Sequence, residues 1–138
     1  MMSIVYAVQE QHRFDSDKRK LVPRFSSVKA AEKFGRLQYL LSPSAAPWAV
    51  DSVLHDLNER LTTFSDDDYL LLIGNPILIG LAVSTAARWN NGFVKMLQWS
   101  GKDKQYIPVE AQVFPRVSPL ASTVTSSPGE YRDDRDDC

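Results

Sequence analysis

The sequence predicts one α/β domain, with a mixed, mostly parallel sheet of about five strands, two or three helices and a C-terminal antiparallel β-hairpin. Three observations carry this. Short β-branched or apolar runs alternate with segments of helical period, the order that builds parallel sheets. Tyr69–Ile73 is apolar at every position, as a strand covered on both faces must be. The last two strand-like segments are separated only by Ser100-Gly101-Lys102-Asp103-Lys104, a glycine-containing connection suited to a hairpin.

Each element has its own signal. Ser3–Val8 is short and β-branched, and reads as the first strand. Residues 12–24 are polar and charged and read as an exposed loop. Ser26 or Ser27 can cap a short helix over Val28–Phe34, with Glu32 as capping-box partner and Gly35 as its stop. Leu37–Leu41 is a second strand, ended by Ser42-Pro43. Val50, Val53, Leu54, Leu57, Leu61 and Phe64 recur at three- and four-residue steps and define a helix over Val50–Phe64, with Pro47 in its first turn and Asp51 near its positive end. Asp66-Asp67-Asp68 forms an acidic turn before the strand Tyr69–Ile73. Asn75 suits an N-cap and Pro76 a first helical position, launching a helix over Ile77–Trp89. Its small residues Gly80, Ala82, Ala86 and Ala87 suit close packing on the sheet, and Asn90-Asn91-Gly92 ends it. Strands Phe93–Trp99 and Gln105–Phe114 follow. In the second, Ile107, Val109, Ala111 and Val113 are expected to be buried and Tyr106, Pro108, Glu110 and Gln112 wet, with Pro108 marking a sheet edge.

Composition narrows the function. The 138 residues fit one domain, and 43% hydrophobic residues can supply a core. With 16 Lys and Arg against 17 Asp and Glu, binding of nucleic acid by bulk charge is excluded. The only cysteine is Cys138, so no internal disulfide and no cysteine-based metal cluster can form. The most apolar stretch, Tyr69–Val83, is interrupted by Gly74-Asn75-Pro76 and falls short of the roughly 20 residues of a bilayer span. With no export signal at residues 1–10, no membrane association and a cytoplasmic setting are expected. Residues 1–114 are read as the domain. Residues 115–138, with three prolines, six Ser or Thr and the end Arg-Asp-Asp-Arg-Asp-Asp-Cys, are read as a disordered acidic tail.

Four places could carry function. The turn Gly74-Asn75 lies between a buried strand and a helix start, where open α/β sheets bind ligands. A single glycine makes a poor phosphate cradle, and both glycine-rich nucleotide motifs are missing, so a tight helix start is the plainer reading. The basic loop carries Arg13, Lys18, Arg19, Lys20 and Arg24 near Phe14 and Phe25, a combination able to hold single-stranded nucleic acid, although Asp15 and Asp17 interrupt it. Trp99 and Tyr106 on the terminal hairpin would anchor a protein interface if exposed together, and otherwise belong with Trp48, Trp89 and Tyr39 to the core or its margin. Asp66–Asp68 point in different directions and read as a solvated turn rather than a metal site. His12 and His55 have no nucleophile or cysteine partner in sequence, so no catalytic residue, metal or cofactor is assigned.

Two blocks carry a resemblance: Asp67-Asp68-Tyr69-Leu70-Leu71-Leu72-Ile73-Gly74-Asn75-Pro76 and Met96-Leu97-Gln98-Trp99-Ser100-Gly101-Lys102-Asp103-Lys104-Gln105-Tyr106-Ile107-Pro108-Val109. Over roughly residues 4–114 the chain resembles a group of small tailed-bacteriophage α/β proteins, in which a strand ending Gly-Asp/Asn-Pro leads to a helix and then a Trp-containing hairpin. The resemblance implies phage origin and a host-cell setting. The expected function is non-enzymatic binding of a host or phage macromolecule, a protein first and nucleic acid through the basic loop second. The alternatives are a small-ligand or nucleotide site at Gly74-Asn75-Pro76 and a virion accessory role.

Overall fold

The structure is a computed structural model and describes residues 3–23 and 26–116. Its elements are β1 (Ile4–Gln9), β2 (His12–Asp15), β3 (Lys20–Pro23), a 3-10 helix η1 (Ser26–Phe34), β4 (Arg36–Leu41), α1 (Val50–Leu61), β5 (Tyr69–Leu71), α2 (Pro76–Trp89), β6 (Phe93–Ser100) and β7 (Gln105–Gln112). Five strands form one sheet in the order β4-β1-β5-β6-β7. β4, β1, β5 and β6 run parallel, and β7 pairs antiparallel with β6. The predicted single α/β domain with a terminal hairpin is the observed architecture.

Renumbered within that sheet, the order is 2-1-3-4-5, the doubly wound arrangement in which the chain first moves to one side of β1 and then crosses back. Right-handed crossovers made in opposite directions must lie on opposite faces. Accordingly η1, between β1 and β4, packs with Val5, Ala7, Leu71, Leu97 and Tyr106 on one face. On the other, α1 and α2 bury Val53, Leu57, Leu61, Leu78, Ala82 and Ala86 against Tyr6, Val8, Leu40, Leu70 and Val94. β5 sits mid-sheet with Leu70 on one face and Leu71 on the other, which is why its sequence is continuously apolar.

The acidic turn has a specific use. Asp68 is buried, and its carboxylate accepts from Ile4 N (3.0 Å), Ser65 N (2.9 Å) and Ser65 Oγ (3.2 Å). It therefore fixes the amino ends of β1 and β5 together. α2 ends in a Schellman arrangement: Asn91 adopts φ 57 and Gly92 N donates to Ala87 O at 2.7 Å.

Several expectations are corrected. Residues 12–23 are not simply a loop, because β2 and β3 pair as an antiparallel hairpin around residues 16–19. α1 begins after Ala49 with no side-chain cap, so Pro47 precedes the helix rather than starting it, and the helix stops at Leu61. Phe64 still reaches the core and packs on Tyr6 at 5.9 Å. Val50, expected on the buried stripe, is 41% exposed at the helix start. Trp48 is 83% exposed in the β4–α1 loop and belongs to no core.

Gly80 does not help α2 approach the sheet, because a Cβ built there meets nothing within 4 Å. Gly80→Ala should therefore stabilise the protein by about 0.5–1 kcal/mol through helix propensity and a less flexible unfolded chain. A higher denaturant midpoint at unchanged slope is the expected readout.

The face of β7 expected to be buried is instead open along the strand, with Ile107, Val109 and Val113 exposed and Ala111 half-buried. Tyr106 is 5% exposed, whereas Ile107 is 43% and Val113 55% exposed. α2 does not extend over this outermost strand, while η1 on the opposite face reaches across to it. Val113 N donates to Gly92 O, so the odd-numbered residues of β7 bond inward to β6. Pro108 then sits where a backbone N–H would point to the free edge, as the sequence suggested for an edge strand.

Candidate functional site

The point where the winding reverses lies between the carboxyl ends of β1 and β5, the usual ligand crevice of such sheets. Here it is filled by the protein itself. Gln9, the last residue of β1, is 4% exposed. Its Nε2 donates to Ser42 O (3.2 Å), Pro43 O (3.4 Å) and Ala45 O (3.2 Å), and its Oε1 accepts from Asn75 N (3.2 Å). Its backbone N donates to Ile73 O at 3.1 Å. One carboxamide thus joins β1 to the β4–α1 loop and to the β5–α2 turn. Gly74 is fitted around it, with φ +129 and only 2.7 Å between a built Cβ and Gln9 Cβ.

The opening at this end of the sheet is displaced toward the terminal hairpin. A cleft of about 410 Å³ is lined by Gln11, Leu71, Leu72, Ile73, Gly74, Leu97, Gln98, Trp99 and Tyr106. It exists because every crossover after β4 lies on the α1–α2 face, leaving the opposite face of β5, β6 and β7 to η1 alone. Trp99 and Tyr106 are cross-strand partners whose rings meet edge-on at 5.0 Å. Tyr106 is buried beneath, and Trp99 stays 38% exposed at the rim. The lining residues carry no carboxylate, ammonium, guanidinium or imidazole, so the cleft is lined by apolar side chains, two glutamine carboxamides, an indole and a phenol.

The structure brings Gly74 together with Trp99 and Tyr106, which the sequence had left as separate candidates. Asn75 is adjacent, but its Oδ1 caps α2 by accepting from Ile77 N at 2.9 Å. The helix start therefore keeps two of its N–H groups engaged, Asn75 N by Gln9 and Ile77 N by Asn75. Lys18, Arg19 and Lys20 are exposed at the tip end of the β2–β3 hairpin, which departs from the cleft-lining Gln11. Arg13 lies on β2, and Arg24 lies outside the described residues, as does the expected acidic tail beyond Arg116. Gln9 was missed, because in sequence it stands in a polar Gln9-Glu10-Gln11 run with nothing to single it out.

On the neighbouring strand β4, Tyr39 is held above the ordinary phenol value of 10.0, first by burial and then by Glu10, Glu32 and Tyr106. Tyr6 on the other face is raised likewise, chiefly by burial. Folding favours both neutral phenols, so their contribution is complete below about pH 10 and is lost as pH rises through the folded-state values. Stability should fall above that pH, and an absorbance titration of the native protein should show two phenols ionising late.

Elsewhere, His55, Asp56 and Glu59 have ligand atoms within 4.8 Å of one another on α1, with His55 Nε2 3.4 Å from Glu59 Oε1. His55 and Glu59 are solvent-exposed, and the trio is the one cluster of this kind among the described residues.

Fold and site together define a small doubly wound α/β domain whose usual crevice is closed by a glutamine and whose open cleft is aromatic and uncharged. The chain belongs to the phage Pam3 gp32-like protein family, whose model matches residues 3–113, and it is a bacteriophage protein. No curated protein and no solved structure matches it.

Proposed function

We propose that this phage protein is a non-enzymatic binding protein, and that the cleft receives an apolar or aromatic group from a host or phage macromolecule, in the first instance a protein. The observation that supports this is the aromatic pair: a rim tryptophan left 38% exposed over a buried tyrosine, in an uncharged recess. Tryptophan and tyrosine are the side chains that dominate binding hot spots. The cleft volume falls within the roughly 300–1,000 Å³ of sites that enclose a small group. Lys18, Arg19 and Lys20 would steer an acidic partner toward it. No helix among the described residues is long and apolar enough to cross a membrane, and the proposed setting is the host cytoplasm.

Affinity capture from host and infected-cell lysates tests this. The intact protein should recover a partner at micromolar concentration, and Trp99→Ala should weaken capture by roughly 30-fold, the about 2 kcal/mol typical of a hot spot. Recovery of nothing, or equal recovery by the variant, counts against the proposal.

A nucleotide at Gly74-Asn75-Pro76 is the second reading. Its support is the placement of that turn at the carboxyl edge beside a helix start. Against it, a phosphate would have to displace the bonds already made by Gln9 and Asn75. A nucleotide panel is therefore expected to leave the melting midpoint unchanged, whereas a rise abolished by Asn75→Ala would favour that reading. Presence of the chain in purified particles would instead favour a virion accessory role.

A further inference from the structure

We propose that the cleft is filled by a second copy of this chain: the exposed Trp48 of each copy seats in the cleft of the other, against Trp99. This rests on the reading of the cleft as a binding site and names the group that enters it, a residue contributed by the partner copy.

Trp48 is held outward by its own loop. It stands in the turn Ala46-Pro47-Trp48-Ala49, where Ala49 N donates to Ala46 O at 3.1 Å and proline occupies the second position. The loop before it is fixed too, since Ala45 N donates to Ser42 O and Gln9 Nε2 donates to the carbonyls of Ser42, Pro43 and Ala45. The indole is therefore 83% exposed on an ordered turn, at a place where a solvated turn usually carries a small or polar residue. From Ser42 to Val50 the chain has no charged side chain. An ordered turn has little freedom left to lose, so its tryptophan can bind without much further ordering cost.

Projection and recess lie on one edge of the sheet. Gln9 binds the Trp48 loop through Ala45 O, and Gly74, which borders the cleft, is packed against Gln9 Cβ. Trp48 does not enter the cleft of its own chain, as its 83% exposure shows, so a second copy must supply it. Because both parts sit on the same edge, a single two-fold axis can satisfy both contacts at once and close the pair without further growth. Neither the loop nor the cleft lining is charged, so the two copies meet without stranding a charge away from water. The first turns of α1 and α2 at this edge add Val50, 41% exposed, and Ile77, 57% exposed. With Trp48 and Trp99 these side chains present roughly 500 Å² on each copy, about 1,000 Å² in the pair, which is the low end of specific interfaces and suits reversible association.

Sedimentation of the full-length chain should show a monomer–dimer equilibrium with a midpoint in the range of about 10–100 μM. Trp48→Ala, which removes an exposed side chain and leaves the core untouched, should weaken it by at least about 30-fold. A chain that stays monomeric to about ten times that midpoint, a dimer that survives Trp48→Ala, or growth beyond the dimer overturns the proposal. NMR reads the contact itself. Unlabelled Trp99→Ala chain, which keeps Trp48, is titrated into ¹⁵N-labelled Trp48→Ala chain, which keeps the cleft; unlabelled wild-type chain serves instead if Trp99→Ala does not fold. The Trp99 indole N–H signal should shift, and unlabelled Trp48→Ala chain should leave it in place. No shift, or the same shift with both, overturns the pairing. N-acetyltryptophanamide titrated into the labelled Trp48→Ala chain tests the cleft apart from the dimer. A Trp99 shift with this probe, for a chain that does not dimerise, overturns the second copy alone, and absence of both overturns the cleft reading too.

Discussion

Gln9→Glu should destabilise the protein more than any neighbouring exchange at the carboxyl edge, by about 3–5 kcal/mol at neutral pH, because it places an unpaired carboxylate in a buried site. The three carbonyl oxygens that accept from Gln9 Nε2 would face a second set of negative oxygens at 3.2–3.4 Å. Only the protonated acid can donate there, so the folded state raises the pKa of the new carboxyl. The sign follows directly. The folded chain binds the proton more tightly than the unfolded one, so the variant is least perturbed below about pH 4.3 and loses stability as pH rises through the folded-state value. Gln9→Ala lacks this pH dependence and should cost about 2–4 kcal/mol, from lost packing and an unpaired Asn75 N–H. Urea melts across pH 4–8 separate the two. A Gln9→Glu variant as stable at pH 7 as at pH 4 would show that the carboxamide does not hold the three carbonyls.

Gly74→Ala is the second large effect, expected at about 2–4 kcal/mol, and it combines two causes. A φ of +129 is a conformation that side chains rarely adopt, and the new methyl would approach Gln9 Cβ to 2.7 Å. A double-mutant cycle with Gln9→Gly resolves them. Removing the opposing Cβ relieves the contact and leaves the backbone strain, so Gly74→Ala should cost about 1–3 kcal/mol in that background. An identical cost in both backgrounds would place the whole effect in the backbone. In either case the turn bordering the cleft is set by fit against β1, which explains why glycine stands there without any phosphate to approach.

Much of the fold was legible because it is written in local pattern. The stripe from Val53 to Phe64, the unbroken apolar run before Gly74 and the Asn75-Pro76 helix start each act within a few residues. What depends on distant neighbours was not legible. Gln9 finds its acceptors 33–36 residues away and its donor 66 residues away, so nothing beside it in the chain announces its role. The β2–β3 hairpin is held by pairing between charged segments that lack an apolar alternation. In β7 the alternation separated two faces correctly, but which face is covered depends on where α2 and η1 stop. Gly74 was singled out apart from the hairpin pair Trp99 and Tyr106, and their meeting follows from β5 lying next to β6, a fact of topology.

Pro108 has a bearing on how molecules of this protein behave when crowded. An outermost strand with a ladder of outward donors is a template on which further chains can add, sheet upon sheet. At the middle of β7 that ladder has a gap, since the ring nitrogen carries no hydrogen to give. Growth of filaments through this margin is thereby discouraged, even though Ile107, Val109 and Val113 stand open beside it. Exchanging Pro108 for a β-branched residue would remove that safeguard and is expected to raise the tendency to polymerise.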